Sequence, residues 1–246
     1  GGKTITIATG GFAVQAGGAV PVRQGDTLLL ATATMSRTPR EGIDFFPLTV
    51  DYEERMYAGG KIPGSFFRRE GRPPESAILI DRLTDRPLRP LFPKYMRNDV
   101  QLIIYSLSSD GQTPIDVLAI LGASAALTIS DIPFEGPVGA LRVGFDEHGE
   151  FAFNPTYQEA EANGLDLRMA GTREAIMMVE CNADQLEERR IIAALEAGHK
   201  AMLPLVEVQA KMRAELGKPK REYITIAPGA EVTVASPAGS KTMTYA

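Results

Sequence analysis

The sequence of 246 residues predicts a mixed α/β (α+β) domain. Apolar and polar residues alternate in its first third with the period of two that is typical of half-buried β-strands. From about residue 73 onward, helical spacing of apolar residues alternates with strand spacing. Strands first, followed by strands interleaved with helices, indicate an α+β or mixed α/β architecture.

Three strand segments are predicted in the first third, at residues 3–10, 12–35 and 43–58. Two glycine dipeptide signals, Gly17-Gly18 and Gly25-Asp26, interrupt the second segment and are both typical of hairpin turns. We therefore expect an antiparallel arrangement at the start of the chain.

A helix is predicted to begin at Pro73-Pro74, because proline is favoured at the first position of a helix. Its predicted apolar face consists of Ile78, Leu79 and Leu83. Pro87 cannot continue a helix without a kink, so we expect the helix to end or bend near Arg86.

The remaining two thirds alternate between the two kinds of element. Residues 99–109 predict a strand, 113–131 an apolar helix, 136–155 a hairpin that turns at 147–149, 165–183 a strand pair, and 186–219 a long helix. In the long helix, Pro204 predicts a kink and Gly217 a stop. The stretch 228–246 is small and polar, which predicts a mobile tail or the stub of a longer chain.

Composition excludes several classes of protein. The single cysteine, Cys181, excludes an internal disulfide framework and favours a cytoplasmic location. No apolar run approaches the ~20 residues that span a bilayer, and the N-terminus lacks a secretion signal. The two histidines make zinc coordination and triad catalysis improbable: His148 is interpreted as solvated and His199 as structural. No glycine-rich phosphate loop is present.

The segment GSFFRREGRP, residues 64–73, is the strongest candidate for a binding site. Residues 68–97 carry eight basic and four acidic side chains in a chain whose total charge is -5, so a local basic patch lies on an acidic protein. Aromatic rings can stack on unpaired bases while arginines hold phosphates, which favours RNA or single-strand binding. Buried phenylalanines with solvated, salt-bridged arginines are the alternative interpretation.

Long runs of the sequence closely resemble the polynucleotide phosphorylase family, specifically its first ribonuclease PH-like core domain. The resemblance rests on residues 41–93, on NDVQLI, on GASAALTISDIPFEGPVGALRVG and on LDLRMAGT. It implies a first core domain at 1–227, with the ribonuclease PH-like βαβα fold, and 228–246 as tail or stub. It also implies single-stranded RNA as ligand, a homotrimeric ring with a second core domain, and no membrane association.

Family chemistry is phosphorolysis, in which phosphate attacks the 3′-terminal phosphodiester of RNA and releases a nucleoside diphosphate, reversibly. By resemblance, Mg²⁺ serves the complete enzyme, whereas this domain binds no cofactor. The resemblance implies that Phe66 and Phe67 contact bases and that Arg68, Arg69 and Arg72 contact the backbone. The resemblance further implies a funnel through which RNA enters the ring. A second set of arginines either faces this funnel or forms internal ion pairs with Asp81 and Asp85: Arg82, Arg86 and Arg89.

The positions that correspond to a family active site depart from its pattern. By resemblance, serines bind phosphate at the positions that read Pro114-Ile115-Asp116 here. The proline and isoleucine side chains have no hydrogen-bond donor, and the aspartate places a carboxylate where phosphate would lie. A metal-binding carboxylate is replaced by Ala160, and the D-x-K motif reads Asp166-Leu167-Arg168. We therefore predict no catalytic residue and no metal site in this domain. Independent phosphorolysis with Asp116 and Asp166 as a metal pair, or a structural or nucleotide-regulatory role, are the alternatives.

Overall fold

The structure is a computed structural model that describes residues 2–162, 164–225, 231–236 and 239–244. Within these residues, five strands form a first sheet of order β1-β2-β3-β5-β4. They are β1 (Ile5–Ile7), β2 (Gly18–Gln24), β3 (Thr27–Pro39), β4 (Leu48–Glu53) and β5 (Asn98–Ser108). Strands β4 and β5 pair in parallel, whereas the other pairs are antiparallel.

The second sheet, counted within the described part of the chain, has four antiparallel strands in the order β7-β6-β8-β9. They are β6 (Gly139–Phe145), β7 (Phe151–Phe153), β8 (Leu165–Gly171) and β9 (Ile176–Ala183). A separate hairpin follows the last helix and consists of β10 (Glu231–Ser236) and β11 (Gly239–Thr244). The predicted boundary between residues 227 and 228 lies outside the described residues.

Four helices are present in the described ranges, and two of them separate or cover the sheets. They are α1 (Glu75–Leu88), α2 (Ile115–Ile129), α3 (Tyr157–Ala162) and α4 (Glu188–Leu216). Helix α2 packs on β2 and β3 with one side and on β6 with the other, and α4 covers the opposite face of β6. The layers are therefore sheet, helix, sheet and helix, which confirms the predicted βαβα arrangement.

The central position of α2 explains its composition, because every residue from Asp116 to Ile129 is buried. Small residues allow the close approach of strands to this helix. An added Cβ at Gly18 of β2 would lie 2.1 Å from the carbonyl oxygen of Ala126, so only glycine fits there.

The predicted Gly25-Asp26 hairpin is confirmed, since β2 and β3 pair directly around it and Gly25 has φ of 59°. The predicted hairpin at Gly17-Gly18 is wrong. Residues 12–17 form no strand, and β2 begins at Gly18. The glycine pair serves close packing instead, because side chains there would collide with β3 and α2.

Helix α1 begins after Pro74 as predicted, but it continues through Pro87 to Leu88. The predicted apolar face is partly wrong, since Ile78 and Leu79 are 45% and 54% exposed. The residues that face the core are Ala77, Leu83, Thr84, Pro87 and Leu88. Pro87 lies in the last turn, where its ring packs inside the protein at the cost of one backbone hydrogen bond.

The later elements agree with the predictions in type and place. Helix α4 contains Pro204 and ends at Gly217, and β6 and β7 form the hairpin that turns at 147–149. The sequence did not reveal the short helix α3. None of the helices in the described part of the chain combines the length and apolar character that crossing a bilayer requires.

The segment 218–225 follows α4 and contacts the carboxyl end of α2. The Lys220 ammonium donates hydrogen bonds to the carbonyl oxygens of Leu127, Thr128 and Ser130 at 2.8, 3.2 and 2.8 Å. Arg221 pairs with Asp131 at 2.7 Å. This lysine therefore supplies the donors that the end of a helix lacks.

Candidate nucleic-acid interface

The segment Lys61–Pro73, called here the arginine loop, joins a 3₁₀ turn (Met56–Gly59) to α1. Several hydrogen bonds hold its shape. Glu70 Oε1 accepts from the Met56 N–H at 3.0 Å, and the Arg68 N–H donates to the Ser65 carbonyl at 3.0 Å. Arg68 has φ of 53°, a conformation that non-glycine residues rarely adopt. Hydrogen bonds thus hold the loop in a defined turn between the 3₁₀ turn and α1.

The two phenylalanines of this loop lie in solvent. Phe66 is 94% and Phe67 78% exposed, and their rings meet edge to face at 5.5 Å between centroids. The interpretation that buries these rings is therefore wrong for this chain. Burying rings of this size against a flat partner would remove a large apolar area from water.

Arg68, Arg69 and Arg72 are exposed and form no ion pair with the residues that the structure describes. Beside the first two lies a cleft of about 560 Å³, whose wall includes Tyr57 and Tyr105. With no carboxylate partner among the described residues, the N–H donors of these guanidinium groups are available to a ligand.

The second predicted arginine set lies along α1 beside a different cleft of about 620 Å³, which shares no lining residue with the first. Arg89 pairs with Asp85 at 2.6 Å and Arg86 with Glu180 at 2.7 Å. The internal ion pair expected with Asp85 is therefore present. Arg82 is exposed and forms no ion pair within the described ranges.

Of the positions that correspond to a family active site, Ala160, Asp166 and Arg168 line a cavity of about 600 Å³, called here the arginine–aspartate cavity. The guanidinium of Arg168 bridges two carboxylates, at 3.0 Å from Asp116 and 2.8 Å from Asp166. Arg142 forms a two-pronged ion pair with Asp166, and buried Ala160 lines the same space. Each carboxylate is thus held by a guanidinium.

Burial and charge act in opposite directions on these groups. Burial alone would raise the pKa of Asp166, but hydrogen bonds and charges from Arg142 and Arg168 outweigh it and lower the pKa. For Arg142, burial would lower the pKa, whereas the paired Asp166 and the nearby Asp116 raise it. Both groups are therefore charged at neutral pH.

The first turn of α2 offers few free donors to an anion. The Ile115 N–H donates to the Tyr157 hydroxyl at 3.3 Å, and the Val117 N–H donates to the Asp116 carboxylate at 2.8 Å. Pro114, which precedes the helix, has no N–H. Phosphate would have to displace these contacts and approach a buried carboxylate.

The same residues do not fit a divalent cation. Magnesium is held by carboxylate and other oxygen ligands, but both carboxylates here are occupied by arginines. In the described ranges, no group of three or more histidine, cysteine or acidic residues is placed to hold a metal. We therefore derive no metal-dependent step in this cavity.

Sequence reasoning missed two residues of this network, Arg142 and Tyr157. Arg142 occupies the middle of β6, whose seven residues are all buried, and its side chain lies 5.4 Å over the Tyr157 ring. The signal was present, because a charged residue inside an apolar strand requires a partner.

Comparison with known proteins identifies the family of the chain. Residues 1–133 match the 3′ exoribonuclease family, domain 1, and residues 136–201 match domain 2 of the same family. The chain belongs to the 3′ exoribonuclease family.

Among curated relatives, the chain is similar to polyribonucleotide nucleotidyltransferases of bacteria. It is 57% identical to that of Herpetosiphon aurantiacus over 91% of this chain, and 55% identical to that of Thermus thermophilus over 90%. These matches cover 29% and 31% of the relatives, so the chain spans about three tenths of their length. The predicted resemblance to polynucleotide phosphorylase is confirmed.

Two solved structures share the fold at low sequence identity. Rice Rrp46 has a TM-score of 0.65 and 16% identity, and covers 87% of this chain and 94% of its own. A chain of the Archaeoglobus fulgidus exosome with RNA bound to the active site has a TM-score of 0.68 and 17% identity, and covers 84% and 88%. The ribonuclease PH-like fold is thereby confirmed.

Proposed function

We propose that this chain is an RNA-holding, non-catalytic core domain of a 3′→5′ phosphorolytic exoribonuclease. The observation that carries the proposal is the arginine loop, which presents two exposed rings and three arginines that form no ion pair with any described residue. Stacking on the rings contributes about 1–3 kcal/mol per base, and the arginines neutralise phosphates without reading sequence. Such a loop suits a strand that slides past it.

The cleavage itself belongs, in this proposal, to another domain of the complete protein. There, an oxygen of inorganic phosphate attacks the phosphorus of the 3′-terminal phosphodiester. The 3′ oxygen of the penultimate nucleotide leaves, and the terminal nucleotide is released as a nucleoside diphosphate. The arginine–aspartate cavity supports this division, because Asp116 and Asp166 are paired with guanidinium groups. Two backbone donors of the first turn of α2, those of Ile115 and Val117, are also engaged.

The proposal extends to the complete protein as a polyribonucleotide nucleotidyltransferase that degrades RNA in the cytoplasm. The relatives that bear this name support the extension. We further propose a homotrimeric ring in which this domain lines the RNA path, and Mg²⁺ at the other core domain. The Arg82, Arg86 and Arg89 set stays a secondary candidate for contact with RNA, because Arg82 is exposed without an ion pair in the described ranges.

The loop is tested by measuring the affinity for a fluorescent single-stranded RNA at several salt concentrations. Arg68→Ala with Arg69→Ala should weaken binding and reduce the slope of log affinity against log salt by about 1.4, at about 0.7 per lost single-strand contact. Phe66→Ala with Phe67→Ala should weaken binding and leave the slope unchanged.

The matched control is Arg23→Ala with Arg173→Ala, which removes two exposed charges that form ion pairs elsewhere on the surface. Loss of affinity equal to that of the loop variant would show a general charge effect and refute the role of the loop. Release of nucleoside diphosphate from RNA by this chain alone, with phosphate and Mg²⁺, would favour independent phosphorolysis and refute the non-catalytic part.

A further inference from the structure

A cavity of about 350 Å³ lies at the carboxyl ends of the parallel strands β4 and β5, where the arginine loop returns to α1. Crevices at the carboxyl ends of parallel strands are the usual ligand sites of α/β sheets. Its wall includes Tyr52, Met56, Arg72, Pro73 and Ser106. Because Arg72 belongs both to this wall and to the loop, the cavity adjoins the proposed path of RNA.

The floor of the cavity contains a buried hydroxyl whose hydrogen-bonding capacity the described residues leave largely unsatisfied. Tyr52 is 2% exposed, and its hydroxyl makes no hydrogen bond of normal geometry with the described residues. Ser106, also 2% exposed, lies close enough to affect its titration. Burial raises the pKa of Tyr52 to about 12, against the smaller lowering by Ser106, so the phenol stays a neutral donor and acceptor. Buried polar groups without partners are rare, and a ligand is one explanation of them.

The charges around the cavity balance. Three acidic and three basic side chains line it: Glu53, Glu54, Glu70, Arg55, Lys61 and Arg72. Glu53 pairs with Arg55 at 3.0 Å, and Glu70 accepts the Met56 N–H. A phosphate group would therefore gain little net electrostatic attraction in this cavity. The binding of a neutral polar group does not depend on such attraction.

The apolar part of the wall comes from Met56, Pro73, Pro74 and Ile115. An apolar wall with a few convergent polar groups is typical of sites for small planar ligands, and a volume of about 350 Å³ lies at the lower end of their range. The exposed phenylalanines of the loop have no hydroxyl or amide and can stack on any base. The cavity, in contrast, offers hydrogen-bonding groups that can distinguish one base edge from another.

We infer that this cavity, the base cavity, binds one unpaired nucleobase through the Tyr52 hydroxyl and gives the RNA-holding loop a preference among bases. The inference rests on the proposed function for the delivery of the base by a strand held at the arginine loop. The same chemistry suits the base of a free nucleotide, such as the nucleoside diphosphate product of the proposed reaction, and the experiment separates these two sources.

The test replaces Tyr52 with phenylalanine, which removes the hydroxyl and keeps the ring. Affinities of the chain for labelled single-stranded A₁₀, C₁₀ and U₁₀ are measured by fluorescence anisotropy. We expect Tyr52→Phe to lose about five-fold in affinity for at least one oligomer and to change the ratios among the three, since one hydrogen bond is removed. The melting temperature should change little, because the contact of the hydroxyl with Ser106 falls outside normal hydrogen-bond geometry.

Tyr223→Phe is the control, since it makes the same chemical change at a tyrosine that is 38% exposed. In parallel, binding of free adenosine, cytidine and uridine is followed by saturation-transfer NMR, in the wild-type chain and in the Arg68→Ala, Arg69→Ala variant. Nucleoside binding that Tyr52→Phe abolishes in both backgrounds identifies a site for free nucleotides and supports the cavity even where the loop hypothesis fails. Altered oligomer ratios without nucleoside binding identify a base delivered by the strand.

Oligomer ratios and nucleoside binding that are both unaffected by Tyr52→Phe would overturn the inference. The proposed function would stand in that case if the loop variant still lowered affinity for all three oligomers alike. If the loop variant bound all three oligomers with unchanged affinity while nucleosides still bound at the cavity, the proposed function would be refuted. The inference about the base cavity would stand.

Discussion

Removal of Arg142 should destabilise the protein more than removal of any surface arginine. The side chains of Arg142 and Asp166 are 4% and 16% exposed, and their two-pronged pair joins the neighbouring strands β6 and β8. Breaking a buried ion pair by deleting one partner costs about 3–5 kcal/mol, because the other charge stays buried. Arg168 still contacts Asp166 in Arg142→Met, so we expect the lower limit, about 3 kcal/mol.

The assay is a double-mutant cycle in urea with Arg142→Met, Asp166→Asn and the double variant. We expect a coupling energy of about 3 kcal/mol and, for Arg142→Met, a melting temperature lower by about 6–12 °C. The control cycle uses Arg86→Met and Glu180→Gln, whose side chains are 50% and 47% exposed, and should give less than about 1 kcal/mol. A coupling energy at Arg142 no larger than that of the control would refute the argument.

The same cycle has a predicted pH dependence. The pKa of Asp166 is lowered in the folded protein, so its contribution is complete above its unfolded pKa, near 4, and is lost as the pH falls through the folded value. Coupling measured at pH 3 should therefore be smaller than at pH 7. Equal coupling at both pH values would show that the carboxylate charge is not the source.

Three further changes test the packing and the ion sites. Gly18→Ala should lower the free energy of unfolding by about 2 kcal/mol because its Cβ has no room, whereas Gly11→Ala, with no atom within 4 Å, should be neutral in the same urea titration. Lys220→Met should cost about 2 kcal/mol at pH 7 through the loss of three carbonyl contacts at the end of α2, and an unchanged urea midpoint would contradict this. Burial raises the pKa of Asp81 to about 6 despite its hydrogen bond from the Tyr52 N–H, so stability should decline as the pH rises from about 4 to about 6. Asp81→Asn should flatten that decline in thermal melts.

The fold was predictable where local signals agree with tertiary packing. The apolar run of α2 and the turn at Gly25-Asp26 each determine their element within a few residues. Helix α1 shows the limit, because Ile78 and Leu79 have the right spacing for a core yet lie in solvent. Periodicity gives the shape of a helix, whereas the neighbours that cover its face come from distant parts of the chain.

The arginine loop could be found in the sequence because its signal is local: adjacent aromatics and arginines between glycine and proline. The pairing of Asp166 with Arg142 could not be found in that way, since Arg142 is 24 residues away and reaches it only across paired strands. The base cavity depends likewise on Tyr52 and Ser106, which meet because β4 and β5 are parallel neighbours.

The pairing of Asp116 and Asp166 with arginines has a consequence for the way this domain is handled in solution. The positive charges that balance these carboxylates belong to arginine side chains, so a chelator cannot remove them. EDTA should therefore leave the melting temperature of this domain unchanged, whereas a domain stabilised by a bound metal ion would be destabilised by chelation. Acid, which neutralises the carboxylates themselves, is the reagent that loosens this site.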